Sequence, residues 1–437
     1  MVELAAASAV SIMRPRPLFA KTGDSRVSTE ILSNSPSFGR QMQSGSSWLE
    51  FCTHGRVRAP VTHNKGVGGT KPSDLLGQID QVAALSPKPS HCWILSGTNA
   101  INNATTVTGL MDGMKTDFLA AWARCLSYNM IPVTCLDCPR QWTDTTLTAA
   151  VKRRVHNELN QWLWQNAEAN GSILIDDNWE LTDPANANGE CLTSLYLVES
   201  PAIHPALGGG LKLGTKFTNV MAALGLPPRY VGIGLVDFYD ATNNPRGNLL
   251  AEGGCFFTAG GQKTGTNPPT GNVPNGMILR NDDTANAANL TSCVGSLVAR
   301  TDGPGNIFKV VATASGTCRI LVYGTGTTYN CAVGDVVEYA TDFKMEAATG
   351  LAQVSVALED RLTGGGSVNG AQYGFQHGTV ATVGPVPSDF DGRAICPQLT
   401  LSPSFGNLRF SHIIQFGASG GSATFYLGAA ELRKVVA

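Results

Sequence analysis

The apolar positions in the first half of the chain follow two alternating periods. Short runs of consecutive apolar residues, such as residues 92–95 and 131–136, predict buried strands. Between these runs, apolar residues recur every three or four positions, as at Phe118 and Trp122, and predict amphipathic helices. This alternation from residue 17 to about residue 226 predicts an α/β fold, in which a parallel sheet lies between two helical layers as a three-layer α/β/α sandwich.

The second half of the chain follows a period of two instead. Val354, Val356 and Leu358 alternate with other residues, and runs of Gly, Thr, Asn and Pro separate such segments. This pattern predicts antiparallel strands in an all-β sandwich of jelly-roll type. In chain order we predict an N-terminal extension (1–16), an α/β domain (17–226), a linker (227–246) and a β-sandwich domain (247–437).

Composition narrows the class of partner. Of the 437 residues, 15% are charged and the formal net charge is −2. This low charge argues against nucleic acid or anionic lipid as the main partner. No apolar run approaches the roughly 18 residues of a membrane span. We therefore predict a neutral or mildly charged partner such as a glycan or a small ester, with no nucleic acid and no membrane.

The cysteines and the N-terminus exclude further classes. The eleven cysteines are an odd number spread over both halves, so most are predicted to be reduced and buried. Cys135 and Cys138 form the closest pair, but no second Cys or His pair stands beside them at zinc spacing. We predict no metal and no cofactor. The first residues carry Glu3 and no leading positive charge, which makes a poor signal peptide.

Four short segments with polar side chains lie where the pattern ends a strand or begins the last helix. Open α/β sheets build their sites at the carboxyl ends of strands. Each segment taken alone is common, because a Gly-Asp-Ser triplet is also an ordinary turn and a single histidine is usually structural. The segments are Gly23-Asp24-Ser25-Arg26, residues 64–70 (Asn-Lys-Gly-Val-Gly-Gly-Thr), Gly97-Thr98-Asn99 and His204-Pro205.

Taken in this order, the four segments resemble the signature blocks of the SGNH or GDSL-type hydrolase superfamily, whose α/β/α fold is flavodoxin-like. The resemblance covers residues 17–226. It implies that Ser25 is a nucleophile and His204 its general base. It also implies an oxyanion hole made by the N–H groups of Ser25 and Gly69 and the side-chain amide of Asn99. This chemistry needs a base that accepts the hydroxyl proton and donors aimed at the developing oxyanion.

Two positions depart from the family pattern. The family usually has an acid three residues before the histidine, where this chain has Pro201, and an Asp where it has Ala100. Glu199 could serve as the acid if the loop holds a two-residue insertion. A backbone carbonyl could orient the imidazole instead, or the enzyme could be weakened. Asp176 is a further acid at a strand end, read more simply as a turn residue, and Asp24 is predicted to brace its own turn.

The remaining histidines and four tyrosines allow only weaker predictions. Three histidines are near the four segments in sequence and could line the pocket, namely His54, His63 and His91. The others are predicted to be structural, with His156 beside the polar face of a helix and His377 and His412 in the β half. Four tyrosines could stack on sugar rings or simply fill the sandwich, namely Tyr323, Tyr329, Tyr339 and Tyr373.

The second half begins with Gly247-Asn248-Leu249-Leu250 and, at residues 255–261, Cys-Phe-Phe-Thr-Ala-Gly-Gly, and long alternating segments follow. This half more loosely resembles the carbohydrate-binding modules of phage and bacterial glycan esterases. The combination implies a serine esterase that removes acyl groups, most simply O-acetyl, from polysaccharide. The β domain would bind glycan or form homo-oligomers, and the protein would be extracellular or part of a phage tail. Two alternatives stay open: a lipid or thioester hydrolase, and a non-catalytic glycan-binding virion or surface protein on a degenerate scaffold.

Overall fold

A computed structural model describes most of the chain. It covers residues 16–29, 31–34, 37–42, 45–176, 178–226, 237–250, 254–324, 329–374 and 386–435. Almost all of the predicted extension, residues 227–236 of the predicted linker, and His377 therefore lie outside the described residues. The predicted domain boundaries stay a prediction.

The first half contains the predicted strands and helices, together with a hairpin. Its strands are β1 (Phe19–Gly23), β2 (Ile31–Asn34), β3 (Ser37–Gln41), β4 (His91–Leu95), β5 (Ile131–Cys135) and β6 (Ile173–Ile175). Its α-helices are α1 (Ser25–Ser28), α2 (Leu49–Cys52), α3 (Leu75–Ala83), α4 (Thr98–Asn102), α5 (Leu110–Ser127), α6 (Ala149–Asn166), α7 (Asn178–Leu181) and α8 (Leu207–Ala223). Short 3-10 turns occur at Gly45–Trp48, Val61–His63, Pro72–Asp74, Glu168–Asn170 and Thr193–Leu195.

A parallel sheet forms the centre of the first half, with strand order β1-β4-β5-β6. Helices α3, α5 and α6 cover one face, where Ile79, Trp122 and Leu159 are buried. Helices α2 and α8 cover the opposite face, where Leu213 and Phe217 are buried. The predicted three-layer α/β/α sandwich is confirmed. All four strands point the same way, so their carboxyl ends share one edge of the sheet.

The second half is a sandwich of two mainly antiparallel sheets, as predicted. Its strands are β7 (Gln262–Gly265), β8 (Thr270–Gly271), β9 (Met277–Asn281), β10 (Leu290–Ala299), β11 (Asn306–Ala314), β12 (Cys318–Gly324), β13 (Val336–Glu346), β14 (Leu351–Arg361), β15 (Ser367–Gly374), β16 (Phe390–Ile395), β17 (Leu399–Thr400), β18 (Asn407–Phe416) and β19 (Gly421–Lys434). A further 3-10 turn covers Ala287–Asn289. One sheet has the order β16-β13-β19-β11-β10-β8, with β17 beside β13, and the other has the order β2-β3-β15-β14-β18-β12-β9-β7.

A few residues of the first half complete the hydrophobic core of the sandwich. The hairpin β2–β3 extends a sheet of the sandwich, because β3 pairs in parallel with β15. Trp48 and Phe51 of the first half are fully buried among the sandwich residues. Their ring centroids lie 6.1 and 5.9 Å from that of Phe390. Close aromatic packing of this kind stabilises both halves together.

Burial decides the outcome for the tyrosines and the cysteines. Tyr339 and Tyr373 are fully buried and cannot stack on a sugar, while Tyr323 and Tyr329 are half-buried. The Tyr339 hydroxyl lies 3.2 Å from Nε2 of His412 in the sandwich core. None of the eleven cysteines forms a disulfide, and nine of them are buried. Among the described helices, none is long and apolar enough to cross a membrane.

A glycine at the junction of the two halves offers a test of this packing. At Gly392 on β16, an added Cβ would lie 2.4 Å from the ring of Phe51. We expect Gly392→Ala to lower the free energy of unfolding by about 1–3 kcal/mol, because overpacking forces neighbours to move. Urea denaturation followed by circular dichroism measures this change.

Gly77→Ala is the matched control. Gly77 is exposed on α3, and an added Cβ there would meet nothing within 4 Å. Its free energy of unfolding should stay the same or rise by up to about 1 kcal/mol, since alanine favours helix. Equal stability of the two variants would contradict tight packing at the junction.

Candidate active site

A sharp turn after β1 presents Ser25 at the carboxyl edge of the sheet. Gly23 has a φ of 143°, and an added Cβ would lie 2.1 Å from the carbonyl oxygen of Leu95, so the turn requires glycine. Asp24 braces the turn as predicted, because its Oδ1 accepts the backbone N–H of Arg26 at 3.0 Å. Ser25 is the first residue of α1 and is half-buried.

His204 lies beside Ser25 although 179 positions separate them in sequence. The distance from His204 Nε2 to Ser25 Oγ is 2.8 Å, a good hydrogen-bond length. On the other side of the ring, His204 Nδ1 lies 2.9 and 3.0 Å from the two carboxylate oxygens of Glu199. The structure therefore aligns a hydroxyl, an imidazole and a carboxylate in one row.

Glu199 is held rigidly by the loop that carries the histidine. Its Oε1 also accepts the backbone N–H groups of Ile203 at 2.8 Å and of His204 at 2.7 Å. Of the sequence alternatives, the carboxylate of Glu199 is the group that faces Nδ1. Asp176 is exposed after β6. A carboxylate at Nδ1 fixes the tautomer and orientation of an imidazole.

The two remaining segments lie around the same edge of the sheet. An added Cβ at Gly68 would lie 3.8 Å from Ser25 Cβ, which places the 64–70 loop alongside the serine. Gly69 is exposed with a φ of 82°. Asn99, in the first turn of α4, donates one Nδ2 hydrogen to the carbonyl oxygen of Thr70 at 3.0 Å. A side-chain amide has two N–H groups, so the second is left for a ligand.

Beneath the serine, a buried guanidinium joins two strand ends. Arg26 Nη2 lies 2.6 Å from Asp24 Oδ2 and 2.5 Å from Asp137 Oδ1. The three side chains are 1%, 0% and 0% exposed. Burial by itself would lower the pKa of Arg26, but Asp137 and Asp24 raise it well above its usual value. The guanidinium therefore stays charged and ties the turn after β1 to the chain after β5.

Helix α6 holds the other end of this network. Asn160 Oδ1 accepts the N–H of Asp137 at 2.7 Å, and Nε2 of His156 lies 2.9 Å from the Asp137 carbonyl oxygen. His156 was expected to be structural and beside the polar face of its helix; it is instead buried, at a position that packs against Asp137. Burial lowers its pKa, and the nearby Asp137 opposes this shift.

Sequence reasoning missed the roles of Arg26, Asp137 and His156. One signal was present, since Asp137 directly follows a strand run in the same way as Asp24. In the sequence, the segment that contains Asp137 stands out only because Cys135 and Cys138 flank it. Cys135 and Cys138 are both buried, and among the described residues no cluster of three or more His, Cys, Asp or Glu side chains is arranged to hold a metal.

The three histidines that could line the pocket have different surroundings in the structure. His91 begins β4, at the opposite edge of the sheet, and its ring stacks on Phe19. His63 lines a cavity of about 430 Å³ between the two halves, together with Arg58 and Glu338. His54 follows α2, which packs against the sandwich strand β16.

Among the comparisons with known proteins, the one with solved structures finds similar proteins. No protein-family model matches the chain, and no curated protein is similar to it in sequence. The chain is similar to a GDSL-like lipase from Bacteroides thetaiotaomicron VPI-5482, with 12% identity and a TM-score of 0.36 over 48% of this chain and 89% of that one. It is similar to an acetylxylan esterase from Geobacillus stearothermophilus, with 17% identity and a TM-score of 0.35 over 47% and 94%.

The other similarity concerns β structure. A carbohydrate-binding module of the β-sandwich superfamily is similar over 36% of this chain and 56% of its own, with 15% identity and a TM-score of 0.25. These similarities are to the kinds of protein that the sequence segments resemble. They do not identify the substrate of this chain.

Proposed function

We propose that this chain is a carboxylic ester hydrolase in which Ser25 is the nucleophile and His204 the general base. The observation that carries this proposal is the 2.8 Å contact between His204 Nε2 and Ser25 Oγ, with Glu199 on the opposite nitrogen. A serine hydroxyl is a weak nucleophile until a base within hydrogen-bond reach accepts its proton. The His204 and Glu199 side chains are 21% and 29% exposed, so substrate can reach them from solvent.

The reaction proceeds in two halves. Ser25 Oγ attacks the acyl carbon while His204 Nε2 takes the hydroxyl proton. The C–O bond to the alcohol then breaks, and the alcohol leaves with the proton from His204. Water, deprotonated by His204, then attacks the acyl carbon; the bond between that carbon and Ser25 Oγ breaks, and His204 returns the proton to Oγ as the acid leaves. Glu199 stabilises the imidazolium that forms in each half.

The proposed oxyanion hole uses the N–H groups of Ser25 and Gly69 and the free Nδ2 hydrogen of Asn99. These donors come from three separate segments that the fold brings to one edge of the sheet. Each well-placed donor stabilises the tetrahedral intermediate by about 3–4 kcal/mol in comparable sites. Apart from the water that hydrolyses the acyl-serine, these steps need no group beyond the chain's own residues.

We further propose that the substrate is an O-acetyl ester of a polysaccharide. The half-buried triad lies at a surface edge, where an ester on a long polymer can reach it. The sandwich would bind the glycan or join subunits, and the protein would act outside the cell, either secreted or as part of a phage tail. The non-catalytic alternative depended on a missing acid, and the position of Glu199 weakens it.

The nucleophile is tested by Ser25→Ala. We expect kcat/KM for p-nitrophenyl acetate to fall by about 10³-fold or more, because the attacking oxygen is removed. Release of p-nitrophenolate measures this change. Ser73→Ala, at an exposed serine before α3, is the control and should keep full activity. Undiminished activity of the Ser25 variant would refute the assignment.

The acid is tested by comparing two carboxylates. Glu199→Gln should lower kcat by about 10²–10⁴-fold, because the neutral amide no longer stabilises the imidazolium. Asp176→Asn, which changes the exposed acid after β6, should leave kcat unchanged. The reverse result would assign the acid to Asp176, and no effect in either variant would favour a Ser-His dyad.

The substrate class is tested with a series of acyl esters and with acetylated polysaccharides. We expect kcat/KM to be highest for acetate, to fall towards octanoate, and acetate to be released from an acetylated glycan. Activity that rises with acyl length would indicate a lipid or thioester hydrolase. Glycan binding without turnover of any ester would indicate the non-catalytic function.

A further inference from the structure

We propose that Gln78 is a positioning residue that holds the three donors of the oxyanion hole in their relative positions. This inference rests on the proposed function. Gln78 lies on α3 between the buried residues Ile79 and Leu75, and only 5% of it is exposed. A buried side-chain amide is destabilising unless its polar atoms are hydrogen-bonded. Its partners therefore explain why a polar residue occupies the apolar face of this helix.

The amide of Gln78 binds both backbone groups of Gly23. Its Oε1 accepts the N–H of Gly23 at 2.7 Å, and its Nε2 donates to the carbonyl oxygen of Gly23 at 3.0 Å. This is the pairing that a neighbouring strand would give to one residue. A helix side chain thus fixes the last residue of β1, two positions before the nucleophile.

The carbonyl oxygen of Gly23 also accepts hydrogen bonds from the loop that contains Gly69. It accepts the Val67 N–H at 3.0 Å in addition to the Gln78 amide, and it lies 3.0 Å from the Thr70 hydroxyl, whose single hydrogen it shares with the carbonyl oxygen of Val67 at 2.8 Å. Gln78 Nε2 lies a further 3.3 Å from the Thr70 hydroxyl. Val67 and Thr70 flank Gly69, so this oxygen atom is the point nearest to Gly69 in sequence at which the loop is bonded to the serine turn; Asn64, at the start of the loop, is bonded separately to the carbonyl oxygen of Val27 at 2.8 Å.

The third donor is connected to the same point through Thr70. The carbonyl oxygen of Thr70 accepts Nδ2 of Asn99 at 3.0 Å. Ser25, Gly69 and Asn99 are therefore each linked to Gly23 by the chain itself or by one intervening residue. Gln78 is the buried helix residue that holds this junction, and it touches none of the reacting atoms.

Loss of the Gln78 amide should act on the transition state more than on substrate binding. The variant Gln78→Leu keeps the side chain's bulk on the apolar face but leaves the N–H of Gly23 without its acceptor. The turn and the loop can then shift relative to each other. A displacement of about 1 Å costs on the order of 10²-fold in rate, and the oxyanion exists only after attack has begun.

The experiment compares Gln78→Leu with Gln81→Leu, the same change at an exposed position of the same helix. We expect Gln78→Leu to lower kcat for p-nitrophenyl acetate by about 10–100-fold with KM changed less than about threefold. Affinity for a trifluoromethyl ketone, which mimics the tetrahedral intermediate, should fall by the same factor as kcat/KM. Gln81→Leu should match the unaltered protein in all three.

A second variant keeps the proposal testable if Gln78→Leu does not fold. Thr70→Val removes the hydroxyl link to Gly23 but keeps the carbonyl that binds Asn99, and it should lower kcat with KM little changed. Full kcat and full ketone affinity in both variants would overturn the proposal, as would a fall in Tm alone. If Ser25→Ala stays active, the proposed function fails first; if it is inactive while Gln78→Leu equals the unaltered protein, only this inference fails.

Discussion

A charged guanidinium sealed away from water is the interaction on which the site depends. Arg26 lies between Asp24 and Asp137, and this position joins the end of β1 to the end of β5. Two carboxylates buried without a counter-charge would be strongly destabilising, so the three groups hold one another in place. Asn160 of α6 holds Asp137 in turn. The turn that carries Ser25 therefore cannot move without breaking several buried hydrogen bonds. Such rigidity gives the pre-organisation that acyl-transfer chemistry requires.

The sandwich packs directly against the α/β half. Trp48 and Phe51 complete its core, and the hairpin β2–β3 completes one of its sheets. The salt bridge between Arg58 and Glu338, at 2.7 Å, adds a polar contact across the junction. This arrangement differs from a module on a flexible tether, which raises only the local substrate concentration.

The period of the apolar residues predicted the α/β/α layers, and the four segments predicted that Ser25 and His204 lie together. Both predictions were possible because these signals are local in sequence. Glu199 was one of several alternatives, since its role depends on how the loop before His204 folds back. The network of Arg26, Asp137 and His156 could not be predicted, because it requires knowing which strand ends are neighbours. Period two also fails to tell a rim position from a core position, and for this reason the pattern left both roles open for Tyr339, which is buried.

The pairing of β3 (Ser37–Gln41) with β15 (Ser367–Gly374) has a consequence for biosynthesis. When β3 leaves the ribosome, its partner has not yet been translated, and Trp48 has no sandwich core to enter. Contacts so distant along the sequence form late and slow folding. Until the sandwich strands are translated, the hairpin of the nascent α/β half is unpaired and its aromatic rings are exposed. In this state chaperone binding or aggregation competes with folding. Yield of the protein in a foreign host should thus depend on how quickly the last strands are made.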